Sequence, residues 1–345
     1  MPRKPFGLIE LFLLVLFSYP LFYYAYKFGT PDLGGSDFYS YYGIYKSWDF
    51  TGVESPFNIR LVSCSLVFLL HKTGLFYNTT ISFDNPEISQ QVFFSALLFN
   101  YLCTLLTAWW VFRIIWRYCE NRAYALTFAA AYLLGFGTLF YSLNALTDAC
   151  SYLLFALILD AYWRRSWWIL PLLALAVLQR EIIFAYIGLI AAFDFCLTQG
   201  PRKFFAGTFT AAGVGMASYI ALRKTVFLTP KYTEQMDVGS YLDRLLNTPL
   251  NWPEYIRQVF LNQNILLFYL AVLAYKLTKH LTVNKLNASL VAALYLQGVV
   301  ISFIGLFGNN LGRFVNLLSP MFILFAALEL KPLLLRHFRF ADKAQ

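Results

Sequence analysis

Six charged residues stand where their types and spacing invite a chemical reading. Asp37 lies in Gly34-Gly35-Ser36-Asp37-Phe38-Tyr39-Ser40-Tyr41-Tyr42, at the start of a helical pattern just after flexible glycines. A carboxylate there can cap the helix, or it can stand at the mouth of a cavity as a base toward a hydroxyl. Arg60, in Pro56-Phe57-Asn58-Ile59-Arg60-Leu61, begins a second apolar helix. There it can snorkel to an interface or hold a phosphate or lipid headgroup. Asp148, in Asn144-Ala145-Leu146-Thr147-Asp148, opens an apolar segment at an end where the helix dipole favours a carboxylate. Arg180-Glu181 interrupts the hydrophobic stretch 167–197. Charges at that depth cost several kcal/mol unless they pair or face a water-filled cavity, so the two are either a structural ion pair or part of a site. Arg313 ends Gly308-Asn309-Asn310-Leu311-Gly312, whose composition makes a turn, and its planar fork suits a phosphate.

The elements that carry these groups are hydrophobic. Of 345 residues, 59% are hydrophobic, 19% aromatic and only 13% charged, with a mean hydropathy of +0.57. A soluble domain is about 25% charged, so this chain has too little polar surface to cover a body in water. The composition predicts an all-α polytopic membrane protein and excludes a disordered regulator, a disulfide scaffold and a free-standing nucleic-acid binder. The net charge of +9 then reports orientation in a bilayer rather than affinity for an acidic partner. Five dispersed cysteines without a C-x-x-C pair read as small core residues, and three scattered histidines build no zinc pattern.

Hydropathy predicts about ten transmembrane helices: 6–28, a retained anchor, then 91–116, 123–141, 148–163, 167–179, 182–197, 204–222, 263–276, 286–307 and 314–331. With the N-terminus placed in the cytoplasm, the inner side holds sixteen basic residues against six acids, and the outer side eleven against twelve. That asymmetry supports the assignment. The segment 60–77 would flip everything downstream if it crossed. Its uninterrupted apolar core, 66–70, ends at His71-Lys72, so an interfacial or re-entrant helix is expected. Phe38, Tyr41, Tyr42, Tyr45 and Trp48 recur at helical spacing, which predicts an aromatic face lying at headgroup level. The expectation is a single transmembrane domain, 1–345, with interfacial helices in the first of two outer loops, about 29–90 and 223–262. Loops of this length in a compact protein usually act in function.

One parity assignment puts Asp37, Arg60, Asp148, Arg180, Glu181 and Arg313 at the same outer face. Carboxylates and guanidinium groups gathered above a hydrophobic bundle suit a substrate with an anionic head and a greasy tail. The order of these features resembles the GT-C superfamily of integral-membrane glycosyltransferases: a first span, an outer loop with Asp37 and an aromatic helix, Arg60 before a second interfacial helix, the Thr147-Asp148 turn, the Arg180-Glu181 pair and the final turn at Arg313. The resemblance covers the whole chain as a hydropathy pattern, carried by short motifs, and implies a small member without the soluble C-terminal domain of several relatives. It implies a polyprenyl-phosphate-linked sugar as donor, a glycan, lipid or protein acceptor, and a site facing the periplasm or exterior of a bacterial inner membrane.

By the same resemblance Asp37 takes the catalytic carboxylate role, and Arg60, Arg180 and Arg313 neutralise the donor phosphate. Asp148, Glu181, Tyr41 and Tyr42 support the site. Here the nearest acid to Asp37 is Asp32, where many members pair two acids, and Asp49 lies further on. Metal dependence stays open, since Asp37 with Asp148 could hold one divalent cation. Transfer through an oxocarbenium-like state with a single base implies inversion by direct displacement. Two other readings remain: a transporter or flippase of a lipid-linked saccharide, and a non-catalytic subunit of a polysaccharide assembly complex. A transporter would place its charges near the midplane in repeated halves.

Overall fold

The computed structural model describes residues 7–29, 31, 37–53, 57–74, 87–198, 200–226, 253, 264–279, 281, 292–296 and 316–338. Among them there is no strand. The helices are α1 (Leu8–Phe28), α2 (Asp37–Ser47), α3 (Leu61–Lys72), α4 (Gln90–Cys119), α5 (Arg122–Leu133), α6 (Phe136–Ser142), α7 (Asp148–Trp163), α8 (Ile169–Val177), α9 (Ile182–Leu197), α10 (Arg202–Thr225), α11 (Asn264–Thr278) and α12 (Ser319–Phe338).

The 30 residues of α4 form the longest helix and the hub of the bundle, packing on α1, α3, α5, α7 and α12. At 1.5 Å per residue it is about 45 Å long, enough to cross the hydrocarbon and emerge at both ends. It stops at Glu120, whose backbone is left-handed (φ 59°). Asn121 then starts α5 by accepting the Tyr124 amide at 2.8 Å, so the chain reverses within two residues. Ser18 on α1 meets the Tyr101 hydroxyl on α4 at 3.0 Å, and Glu10 near the start of α1 meets Arg122 beyond the end of α4 at 3.5 Å. The two helices are therefore antiparallel. Further on, α9 and α10 approach through small residues: a Cβ on Gly188 would stand 3.4 Å from that of Ala212. A Cβ on Gly215 would fall 2.2 Å from the Phe184 ring. Close backbones are how helices gain contact where lipid already satisfies apolar surface.

Among the described residues, four helices are long and apolar enough to cross a membrane: α1, α4, α10 and Asn316–Leu334, which contains most of α12. Among the described residues, several of the other apolar runs expected as spans break or give shorter helices. The run 123–141 divides at Gly135 into α5 and α6, and 167–179 yields only the nine residues of α8, about 14 Å of helix. The runs at 148–163, 182–197 and 263–276 give helices of 16, 16 and 15 residues. Most of 286–307 lies outside the described residues. The expected interfacial helix is α3, at 12 residues too short to cross. Four of the five cysteines are buried as expected, Cys196 being exposed.

The aromatic helix α2 departs from expectation. Its aromatic face points into the protein: Phe38, Tyr41 and Tyr45 are fully buried with Ile44, Cys64 and Phe93 in one apolar cluster. Phe38 meets Phe93 edge-on, with ring centroids 5.5 Å apart. Periodicity identifies an aromatic face, yet α3 and α4 supply the apolar surface that covers it, so no headgroup layer is needed there.

Candidate functional site

The site grows from unmet backbone needs. The first amides of a helix have no partner inside it, and at α3 two of them bond outside their own helix. The Val62 amide donates to the Leu178 carbonyl at 3.2 Å, and the Ser63 amide donates to Oε1 of Gln179 at 3.0 Å. The other end of the same Gln179 side chain donates to the Thr147 carbonyl at 3.0 Å and to the Ser151 hydroxyl at 3.1 Å. One buried amide thus ties together α3, the start of α7 and the turn after α8. The bend 143–147 has carbonyls of its own to satisfy, and the Asn100 side chain on α4 donates to those of Asn144 and Leu146. A buried irregular segment needs such partners.

On this frame sit the charges. Arg60, only 6% exposed, does not snorkel. Its Nη1 donates to the Tyr41 hydroxyl at 2.5 Å and to the Thr147 hydroxyl at 3.0 Å, and its guanidinium lies 5.9 Å from the Tyr41 ring centroid and 5.8 Å from that of Phe57. Beside it, Arg180 donates to Oδ1 of Asp148 in an ion pair that is almost completely enclosed. Asp148 opens α7, so both the helix N-terminus and the guanidinium place positive charge beside its carboxylate.

Next in the chain comes Glu181. Its Oε2 and the hydroxyl of Tyr219 on α10 are buried, neither has a well-formed hydrogen bond among the described residues, and the two groups face each other. Arg60 and Arg223 lie within electrostatic range of Tyr219. Tyr45, one turn beyond Tyr41, also stands close enough to feel Arg60 and Asp148. Burial, with Cys64 and Tyr41 alongside, raises its phenol well above the usual value, so it stays neutral.

Of the groups predicted from sequence, Arg60, Asp148, Arg180, Glu181 and Tyr41 meet at one end of the bundle. Asp37 opens α2, half-buried, one helical turn before Tyr41. Tyr42 lies on the flank, donating to the Glu87 carbonyl at 3.2 Å and accepting the Ser89 amide at 2.8 Å, which moors α2 to the start of α4. Arg313, its Gly-Asn turn and nearly all of the loop 223–262 lie outside the described residues. Gln179, Thr147, Tyr219 and Arg223 were not anticipated. Gln179, next to Arg180 in an apolar stretch, carried the same signal of a costly buried polar group. Tyr219 and Arg223 sit on α10, too distant in sequence to be linked to the others.

Among the described residues no three histidine, cysteine, aspartate or glutamate side chains gather to hold a metal ion, and the Asp148 carboxylate is engaged by Arg180. Beside the 143–147 bend lies an apolar cavity of about 300 Å³ between α1, α4 and α6, lined by Leu21, Phe28, Phe93, Leu97 and Leu143. Asn144 also lines it, three residues before Thr147. The arrangement can hold an anion against two fixed guanidinium groups while an apolar chain occupies the neighbouring cleft. No protein-family model, curated protein or solved structure matches this chain.

Proposed function

We propose that this chain is a GT-C-type membrane glycosyltransferase, moving a sugar from a polyprenyl-phosphate donor to a glycan, lipid or protein acceptor on the extracytoplasmic side. The observation that carries the reading is the meeting of Arg60, Arg180, Asp148 and Glu181 at one end of the bundle, next to an apolar cavity. An anionic head with a greasy tail needs both in that order. Four helices able to cross a membrane support the integral location. About ten spans, a cytoplasmic N-terminus and a bacterial inner membrane complete the proposal.

In the reaction, the acceptor oxygen bonds to the anomeric carbon as the carbon–oxygen bond to phosphate breaks. The electron pair leaves with the polyprenyl phosphate, and the acceptor proton passes to Asp37. Arg60 is assigned to the phosphate, its fork oriented by bonds to the Tyr41 and Thr147 hydroxyls. Arg180, fixed on Asp148, adds a weaker field. Arg313 is assigned to the same phosphate. Enclosure strengthens each of these interactions relative to water.

The rival reading, a transporter or flippase, draws on the buried Lys276–Glu329 pair at 2.5 Å between α11 and α12, since enclosed ionisable groups also mark transport paths. Mass spectrometry of lipid-linked saccharides and surface glycans, in a deletion strain complemented with wild type, Asp37→Asn or Arg60→Gln, separates the two. Transfer predicts loss of one sugar with donor accumulation in both variants. An intact glycan stranded on the inner leaflet means transport, and an unchanged product with Asp37→Asn means a non-catalytic subunit.

A further inference from the structure

At the opposite end of α7 from Asp148, two guanidinium groups share one carboxylate and a third stands one helical turn away. Asp160 is buried, and its two oxygens are bracketed by Arg164, one turn on, and by Arg117 of α4 at 3.6 Å. Arg113, one turn before Arg117, lies flat against the Trp109 ring, with its guanidinium carbon 4.9 Å from the ring centroid. Electrostatically Arg164 feels both Arg117 and Arg113. Three positive charges against one negative leave a local excess of two, yet the arginine heads are exposed, so the surplus faces outward.

The surroundings are those of a membrane interface. Trp110 and Trp163 pack with ring centroids 6.2 Å apart, and Trp167 and Trp168, just beyond Arg164, are 57% and 74% exposed. Exposed indoles beside a cationic cluster belong at the level where acyl chains meet headgroups. Seated on an aromatic face, the Arg113 guanidinium keeps its N–H edges for an anion.

We propose that Arg113, Arg117 and Arg164 form a binding site for the phosphodiester headgroup of an anionic phospholipid, with Asp160 fixing the arginine pair and the tryptophans receiving the acyl chains. The headgroup supplies the negative charge that the cluster lacks, and its tails take up the apolar surface beside it. A free phosphate would match the charge but leave the indoles in contact with bulk lipid, so the lipid is the occupant. This site is independent of the transfer reaction proposed above.

The test is native mass spectrometry of the full-length protein in detergent with phosphatidylglycerol and phosphatidylcholine of equal chain length. Wild type should retain phosphatidylglycerol preferentially, by about five-fold for each participating arginine. Arg113→Gln with Arg117→Gln should leave only the preference of about five-fold that Arg164 supplies. Arg202→Gln with Lys203→Gln, which removes an exposed basic pair at the start of α10, should leave the preference intact. The proposal is overturned if the wild-type protein shows no preference, if the α10 control loses it equally, or if millimolar inorganic phosphate abolishes it. The wild-type measurement decides even if the α4 variant fails to fold.

Discussion

The two ends of α7 carry the same chemistry in opposite surroundings. At its start, Asp148 and Arg180 have side chains 0% and 2% exposed. At its finish, Asp160 is 9% exposed, while its partner Arg164 is 56% exposed. Asp148 and Asp160 are twelve residues apart, about 18 Å along the helix. Water therefore reaches one pair and not the other. A guanidinium in water is solvated whether or not it is paired, and salt screens it. An enclosed pair has no such alternative, and removing one partner leaves the other charge buried and uncompensated. The enclosed end is accordingly the one where a charge can be held in place for a substrate, and the wet end the one where charge marks a surface.

The largest effect expected is from Arg180→Ala, which strands the Asp148 carboxylate and should cost about 3–5 kcal/mol, read as a large fall in melting temperature in detergent. Arg180→Met combined with Asp148→Leu should recover most of that loss, because no charge is left unpaired. An Arg180→Ala melting point close to that of wild type would break the comparison. Gln179→Ala should cost about 1–3 kcal/mol by orphaning the Ser63 amide and the Thr147 carbonyl. It would sharpen the contrast by testing a neutral group at the same end. Arg164→Ala should cost less than about 1 kcal/mol. If it matched Arg180→Ala, the distinction between the ends would be lost.

Much of the outline was legible because burial in lipid restricts composition so strongly. Periodicity located α2, α3 and α4, and the charges on either side of each apolar run separated the two ends. Arg60, Asp148 and Arg180 lie together, and Arg117, Arg164 and Asp160 lie together elsewhere. Helix lengths were less legible. An apolar run reads the same whether it spans or stops at a bend such as Gly135, since that buried bend is as hydrophobic as the helices that cover it. The direction of the α2 aromatic face was undetermined for the same reason, because apolar side chains suit lipid and protein alike.

Which positions need a partner follows from residue type alone: a guanidinium or carboxylate in an apolar stretch must be paired or hydrated wherever it ends up. Sequence therefore determined that Arg60, Asp148 and Arg180-Glu181 mattered, and the tertiary structure decided who answers whom. Arg180 takes Asp148 from another helix rather than its neighbour Glu181, Arg60 takes two hydroxyls, and Gln179 closes the frame between them. These choices depend on distances of a few ångströms between segments up to 116 residues apart, set by how whole helices pack and not by any local preference along the chain.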